Sequence, residues 1–251
     1  MYILKATKEA ILNHAAACYP RESCGLIVNR EYIECVNIHA NDEHEFKIDP
    51  KDVVRAEKRG KIEAIVHSHP DGSTKPTTFD LIQMPHHGVP WIIVSYPDID
   101  IKVHKKLDYT APLINREYIH GVLDCYSVVR DYYKRELDIE LRNFERQDLW
   151  WESSAEGNSL YADNFKSQGF VEVHDLQRHD VILCRVQPTN HINHALIYLS
   201  NDGRLNSENT ETVVGEHLVL HHPYLRRSRR EIYGNVWRER SAIIIRHKSL
   251  M

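Results

Sequence analysis

The stretch HSHPDGSTKPTTFD, residues 67–80, holds two histidines one residue apart and, eleven residues after the second, an aspartate. Imidazole nitrogens and a carboxylate are donors that hold a catalytic zinc ion, which takes three protein ligands and keeps a fourth position for water, whereas structural sites close with four. The spacing suits this chemistry. IEAIVHSHP reads as a strand ending at Pro70, so His67 and His69 point to one face. The loop with Gly72, Ser73 and Pro76 can turn Asp80 back to the same point. Water on such an ion has a pKa near 7, which makes hydroxide available at neutral pH. Upstream, Glu22 in YPRESCGLIVN stands just before a strand, where its carboxylate could relay protons from that water to a leaving amine. The plainer readings are surface or core histidines in a chain with 17 of them, and a solvent-exposed turn residue at Glu22.

A second constellation lies downstream. Asp124 can cap a helix whose first residue is Cys125, and a helix N-terminus stabilises a thiolate. The alternative is a buried apolar cysteine at a helix start. His194 opens the strand-like run HALIYLS 69 residues further on, where it could act as general base to Cys125.

These residues need elements to position them, and 251 residues suggest two domains of roughly 110 and 140 residues. In the first half, Thr7 is expected to cap a helix over 8–18 with Ile11, Leu12, Ala15 and Cys18 on its apolar side. Strands are expected at CGLIVN and EYIECVN, joined by a turn at Asn29 and Arg30. Asp49 and Pro50 start a second helix that Gly60 ends. IEAIVH, a short helix from about Thr78, WIIVSY and DIKVH follow. The tract KKLDYTAPLINR, residues 105–116, loses periodicity and marks a boundary between domains at 1–108 and 113–251. In the second half, a helix from Cys125 carries Val128, Val129 and Tyr132 on its apolar side, and a further helix is expected over about 140–153. DVILCRV, HALIYLS, HLVLHH and SAIIIRH read as strands of an antiparallel sheet, with a turn at Asn201, Asp202 and Gly203. Both halves are therefore α+β, each of a different kind.

Hydrophobic residues make up 42% and charged ones 27%, the composition of a folded globular chain. No apolar run approaches the roughly 20 residues of a membrane-spanning helix, and the charged start MYILKATKEA does not read as a secretory signal. Five scattered cysteines without a CxxC suggest neither a disulfide framework nor a cysteine zinc site, which fits synthesis in a reducing cytoplasm. Residues 221–251 carry eight Lys and Arg against two Glu within a chain of net charge −4, so the remainder carries about −10. This basic end reads as a solvated face or a docking surface for an acidic partner. Nucleic acid is not indicated, because no stacking pattern or nucleic-acid motif accompanies the basic residues.

The pattern P-x-E-x-C-G, then HSHP, seven residues from the second histidine, a hydroxyl residue, two residues and Asp resembles the JAMM (MPN) metalloprotease family over about residues 1–105. That resemblance implies a cytidine-deaminase-like α/β sandwich, zinc ligands at His67, His69 and Asp80, an acid/base at Glu22, and an oxyanion-steadying hydroxyl at Thr77 where relatives usually have serine. Cysteine before a helix followed by histidine leading HALIYL resembles the NlpC-type papain-like peptidases over about 113–251. It implies a nucleophile at Cys125, a base at His194 and a third polar residue orienting the imidazole. His221 is the choice for that third residue, with His222 and Asn206 as alternatives, and His191 and His174 are expected to be ordinary surface residues. A JAMM domain followed by an NlpC-type domain resembles a family of tail assembly proteins of lambda-like tailed phages. This implies a tail-tip component of the virion, made in the host cytoplasm, that joins other tail-tip proteins and opens peptidoglycan at its stem peptides during DNA entry. The JAMM half would then process a partner such as a ubiquitin-like tail protein. Two alternatives stand beside it: a structural tail-tip plug with relic sites, and a cellular JAMM enzyme of sulfur transfer or protein deconjugation.

Overall fold

β3 (Ile62–Pro70) is the central strand of a five-stranded sheet and carries the first constellation at its end. The computed structural model describes residues 2–105, 109–144, 146, 160–186, 189–213 and 215–251. The chain divides into two units, Met1–Thr110 and Ala111–Met251. In the first, β1 (Cys24–Val28), β2 (Glu31–Cys35), β4 (Trp91–Tyr96) and β5 (Asp100–His104) join β3 in the order β2-β1-β3-β4-β5. β3 and β4 are parallel and the other pairs antiparallel. Asn29 and Arg30 both have positive φ, 50° and 64°, which gives the β1–β2 turn the twist that matches its strands.

Both faces of this sheet are covered, so its inner strands read as continuous apolar runs. Ile11 and Ala15 of α1 (Lys5–Cys18) pack on Ile27, Ala64, Val66, Ile92 and Val94. On the opposite face Ala56 of α2 (Pro50–Glu57) and Phe46 pack with Cys24, Leu26, Ile65 and Trp91. α2 starts as expected, with Asp49 accepting from the Lys51 N–H and Pro50 at the first helical position. α1 does not: it starts at Lys5 after Leu4, and Thr7 lies inside the first turn. The Thr7 hydroxyl donates to the Arg30 carbonyl at 2.6 Å, an acceptor 23 residues away that local cap rules do not include. Gly25 sits where a Cβ would come within 2.3 Å of the Tyr32 ring and 2.6 Å of the Ile33 carbonyl, so the glycine of the PRESCG motif is required by close approach of β2.

The second unit holds a six-stranded sheet in the order β10-β9-β8-β7-β11-β6. Its strands are β6 (Phe170–Val173), β7 (Val181–Cys184), β8 (His194–Ser200), β9 (Leu218–His221), β10 (Arg229–Ile232) and β11 (Ser241–His247), and all its pairs are antiparallel. α4 (Cys125–Leu137) lays Val128, Val129 and Tyr132 on Ala195, Ile197, Leu199 and Leu220, and Phe165 of α5 (Leu160–Ser167) joins that core. On the other face Trp237 of α6 (Asn235–Arg240) packs with Ile182, Leu196, Tyr198 and Val219. Successive residues of β8 thus face opposite layers, with Ala195 toward α4 and Leu196 toward α6.

The helix expected over 140–153 is absent from 140–144, which has no regular structure, and its positions 145 and 147–153 lie outside the described residues. Side chains take the carbonyls there: Tyr126 donates its hydroxyl to the Arg142 carbonyl, and Arg146 donates to that of Phe144. Much of the basic C-terminal region is engaged within the unit. Arg246 pairs with Asp180 and Asp175, Arg229 with Glu231, and Arg230 donates to the Gly203 carbonyl.

Candidate active sites

In the first unit, His67, His69 and Asp80 meet and all are buried. The two Nε2 atoms are 2.9 Å apart, His67 Nε2 is 3.2 Å from Asp80 Oδ1, and His69 Nε2 is 3.3 Å from Asp80 Oδ2. His69 Nδ1 donates to the Ser73 carbonyl at 2.7 Å, which leaves its Nε2 lone pair facing the cluster. His67 is held by aromatic contacts, stacked on Phe46 at 4.5 Å and edge-on to Trp91 at 5.5 Å. Burial pushes its pKa down, against the pull of Asp80, so the ring is neutral and available as a donor. Burial opposes the Asp80 carboxylate, but His67 and the Thr77 N–H hold it well below the usual range. Two imidazoles and one carboxylate, with donor atoms converging, fit a divalent cation such as zinc.

Thr77 caps α3 (Thr78–Gln83) in a reciprocal box with Asp80. Its hydroxyl donates to Asp80 Oδ2 at 2.8 Å and its N–H to the same oxygen at 2.7 Å. Here the hydroxyl orients the carboxylate, and to donate to an oxyanion it would have to exchange that partner. Glu22 is buried and enters the site through strand register. Cys24 pairs with His67, and Ser68 N–H donates to the Ser23 carbonyl, so Glu22 stands on the line opposite His69 and on its face. Ser23 N–H donates to Ser68 Oγ at 2.8 Å, and the two hydroxyls meet at 3.0 Å. The Glu22 carboxyl is pushed up to about 9 by burial and by the Asp80 and Glu45 carboxylates. Asn37 donates to the Glu22 and Glu45 carbonyls at 3.1 Å each and ties those two segments together, through contacts too far apart along the chain to read from local pattern.

In the second unit Cys125 is the first residue of α4, and Asp124 caps the helix in a reciprocal box with Ser127. The Asp124 carboxylate also accepts from the buried Arg146, at 2.6 Å from Nε. Cys125 and His194 line one cleft together with Asn193, Trp237, Tyr118 and Tyr224. His194 Nε2 meets His221 Nδ1 at 3.0 Å, so its other nitrogen is left for the cleft. Of the three residues considered for the third position, His221 is the one that meets the His194 ring. His222 instead lies edge-on to Tyr118 at 5.2 Å, and the Asn206 backbone is bound to Glu136. His174 is exposed and His191 half-buried.

One residue of this cleft and one behind it carried no signal in sequence. Tyr161 OH is 3.1 Å from Cys125 Sγ, and Glu231 Oε1 is 3.1 Å from His221 Nε2. Burial, then Asp124, push the Cys125 thiol up to about 12 with His194 neutral, and Tyr161 works in the opposite direction. Removing a donor from a thiolate raises the thiol pKa. Tyr161→Phe is accordingly expected to move the midpoint of Cys125 alkylation by iodoacetamide to higher pH and to slow alkylation at pH 7 several-fold. An unchanged profile would show that the tyrosine does not support the thiolate.

The description "prokaryotic homologs of the JAB domain" matches residues 4–104, and the NlpC/P60 family matches residues 115–246. The chain is 34% identical over 249 residues to tail tip assembly protein K of Escherichia phage N15, covering 97% of this chain and 95% of that one. It is also 34% identical over 202 residues to tail tip assembly protein K of Escherichia phage lambda, covering 80% and 89%. Among solved structures, a JAB1/MPN domain protein from Archaeoglobus fulgidus is similar at 26% identity over 42% of this chain and 90% of its own, with a TM-score of 0.31.

Proposed function

The chain belongs to the tail tip assembly protein K family, with a JAB/MPN-like domain followed by an NlpC/P60 domain, and from this we propose that it is a tail-tip peptidase with two active sites. The second cuts stem peptides of peptidoglycan to open the wall locally as DNA enters. The observation that carries this reading is the shared cleft of Cys125 and His194, with His194 backed by His221. His194 Nδ1 takes the Cys125 proton as sulfur bonds to the substrate carbonyl carbon. The C–N bond then breaks, and His194 returns the proton to the leaving amine. Water activated by the same imidazole hydrolyses the thioester and restores the thiol. His221 accepts from His194 Nε2–H and keeps Nδ1 aimed at sulfur.

In the first site His67, His69 and Asp80 would hold zinc, which when bound supplies Lewis acidity and an acidified water. Glu22 holds and transfers the proton, and Thr77 aligns the Asp80 carboxylate. The substrate proposed for this site is a tail partner with a ubiquitin-like fold. On this proposal the protein acts in the virion tail tip among other tail proteins, after assembly in the host cytoplasm.

The test is release of muropeptides from purified peptidoglycan by wild type, Cys125→Ala, and the His67→Ala, His69→Ala double variant, with zinc measured on each. Cleavage lost only in Cys125→Ala, with zinc bound to wild type and lost from the double variant, is the expected result. No cleavage by wild type would overturn the wall-opening reading.

A further inference from the structure

The contact chain from the cleft does not stop at His221. His221 is wholly buried on β9, and its Nε2 lies 3.1 Å from Glu231 Oε1 on the neighbouring strand β10, at an angle short of hydrogen-bond alignment. The same Oε1 accepts from Trp237 Nε1–H, and Oε2 accepts from Arg229 Nε at 2.9 Å. Trp237 in turn stacks on the His194 ring at 5.6 Å with 24° between planes. One carboxylate thus touches both groups that hold the candidate base.

We propose that Glu231 is a positioning residue that sets the tautomers of His221 and His194 for the cysteine chemistry. This rests on the reading of Cys125 and His194 as nucleophile and base. A carboxylate beside Nε2 favours the His221 tautomer with its proton there, which leaves Nδ1 as a lone pair. That lone pair accepts only from a His194 with Nε2–H, whose Nδ1 is then a free base toward sulfur. In the opposite tautomer, His221 Nδ1–H would point at His194 Nε2, and His194 would carry its proton on the side facing the thiol, unable to take another. Once His194 becomes an imidazolium, the Glu231 charge stabilises it through His221.

The charged and titratable groups around the pair are few. Cys125 comes from α4, Arg229 and Glu231 from β10, His222 from the residue after β9 and Cys184 from β7, with the Arg240 guanidinium 5.6 Å from the Trp237 ring centre. Glu231 is the acid among them that contacts His221, and its other oxygen accepts from Arg229. Burial lowers His221, Glu231 counters it, and the contact with His221 holds Glu231 down at about 2.

The test uses the full chain and alkylation of Cys125 by iodoacetamide across pH, read by mass spectrometry, beside muropeptide release. Glu231→Gln keeps the shape and the bond to Trp237 but removes the charge and the choice of tautomer. It is expected to lower kcat about 10- to 100-fold with little change in KM. Alkylation at pH 7 should slow, because the imidazolium that forms as Cys125 gives up its proton has lost its counter-charge. Glu231→Asp should recover part of the rate, and circular dichroism checks the fold of each variant. Wild-type kcat and unchanged alkylation at pH 7 in Glu231→Gln would overturn the role of Glu231. Alkylation that does not change in His194→Ala would instead overturn the nucleophile and base reading, and this proposal with it.

Discussion

Asp80→Asn is expected to remove most of the stabilisation that zinc gives the wild-type chain. A ligand that binds only the folded state at 1,000 times its Kd adds about 4 kcal/mol, so wild type should melt higher with zinc than after chelation. Asp80 is the anionic member of a three-donor set, within 3.3 Å of both Nε2 atoms. Asparagine keeps the volume and an oxygen for the α3 cap but brings no charge to a dication. The affinity should fall at least about 100-fold, the upper end of what loss of an outer-shell partner costs. Thr77→Val, which removes only the hydroxyl bond to Asp80, should fall within about 10- to 100-fold. Zinc titration calorimetry and paired thermal melts near neutral pH read both. An equal zinc-induced shift in Asp80→Asn would remove Asp80 from the ligand set.

Acid is expected to destabilise the second unit well above the range in which carboxylates titrate. Burial lowers the pKa of His194, His221 and His222, and that of His222 falls to about 4. The sign follows from which state binds the proton first. Below about pH 6.5 the unfolded chain protonates these rings while the folded chain does not, so the stability they confer is lost as pH falls toward 4. At about 1.4 kcal/mol per unit, His222 alone accounts for about 3 kcal/mol of a typical 5–15 kcal/mol. Urea melts between pH 7 and 4 should show this slope, and His222→Gln should flatten it by about that amount. A slope unaltered by the substitution would mean that the ring protonates in place.

Where the candidate sites rest on local spacing, their geometry was legible. The run IEAIVHSHP is a strand to Pro70, with the imidazoles on one face, and Asp124 followed by Cys125 is the start of α4. A cap, a turn and a two-residue alternation are each set within a few residues. Thr7 failed because its hydroxyl finds a carbonyl 23 residues away, and the 140–144 segment because its carbonyls are taken by Tyr126 and Arg146 side chains. Tyr161 and Glu231 were missed for the same reason. Their partners lie 36 and 10 residues off along the chain, and only the packing of α5 and the pairing of β10 with β9 bring them in. The short strands β6 and β10 carry four residues each, too few to show a period.

The serine between the two histidines is more than a spacer. Its side chain points away from the site and meets Ser23 twice, through amide and hydroxyl, at the strand pair that brings Glu22 opposite His69. Sliding β1 by one residue would place Cys24 across from Ser68 and turn the acid to the wrong face of the sheet. The three letters HSH therefore encode two instructions at once: the outer two name the donors, and the middle one indexes the neighbouring strand against them. A chain could keep every candidate ligand and still be mistuned by losing that index.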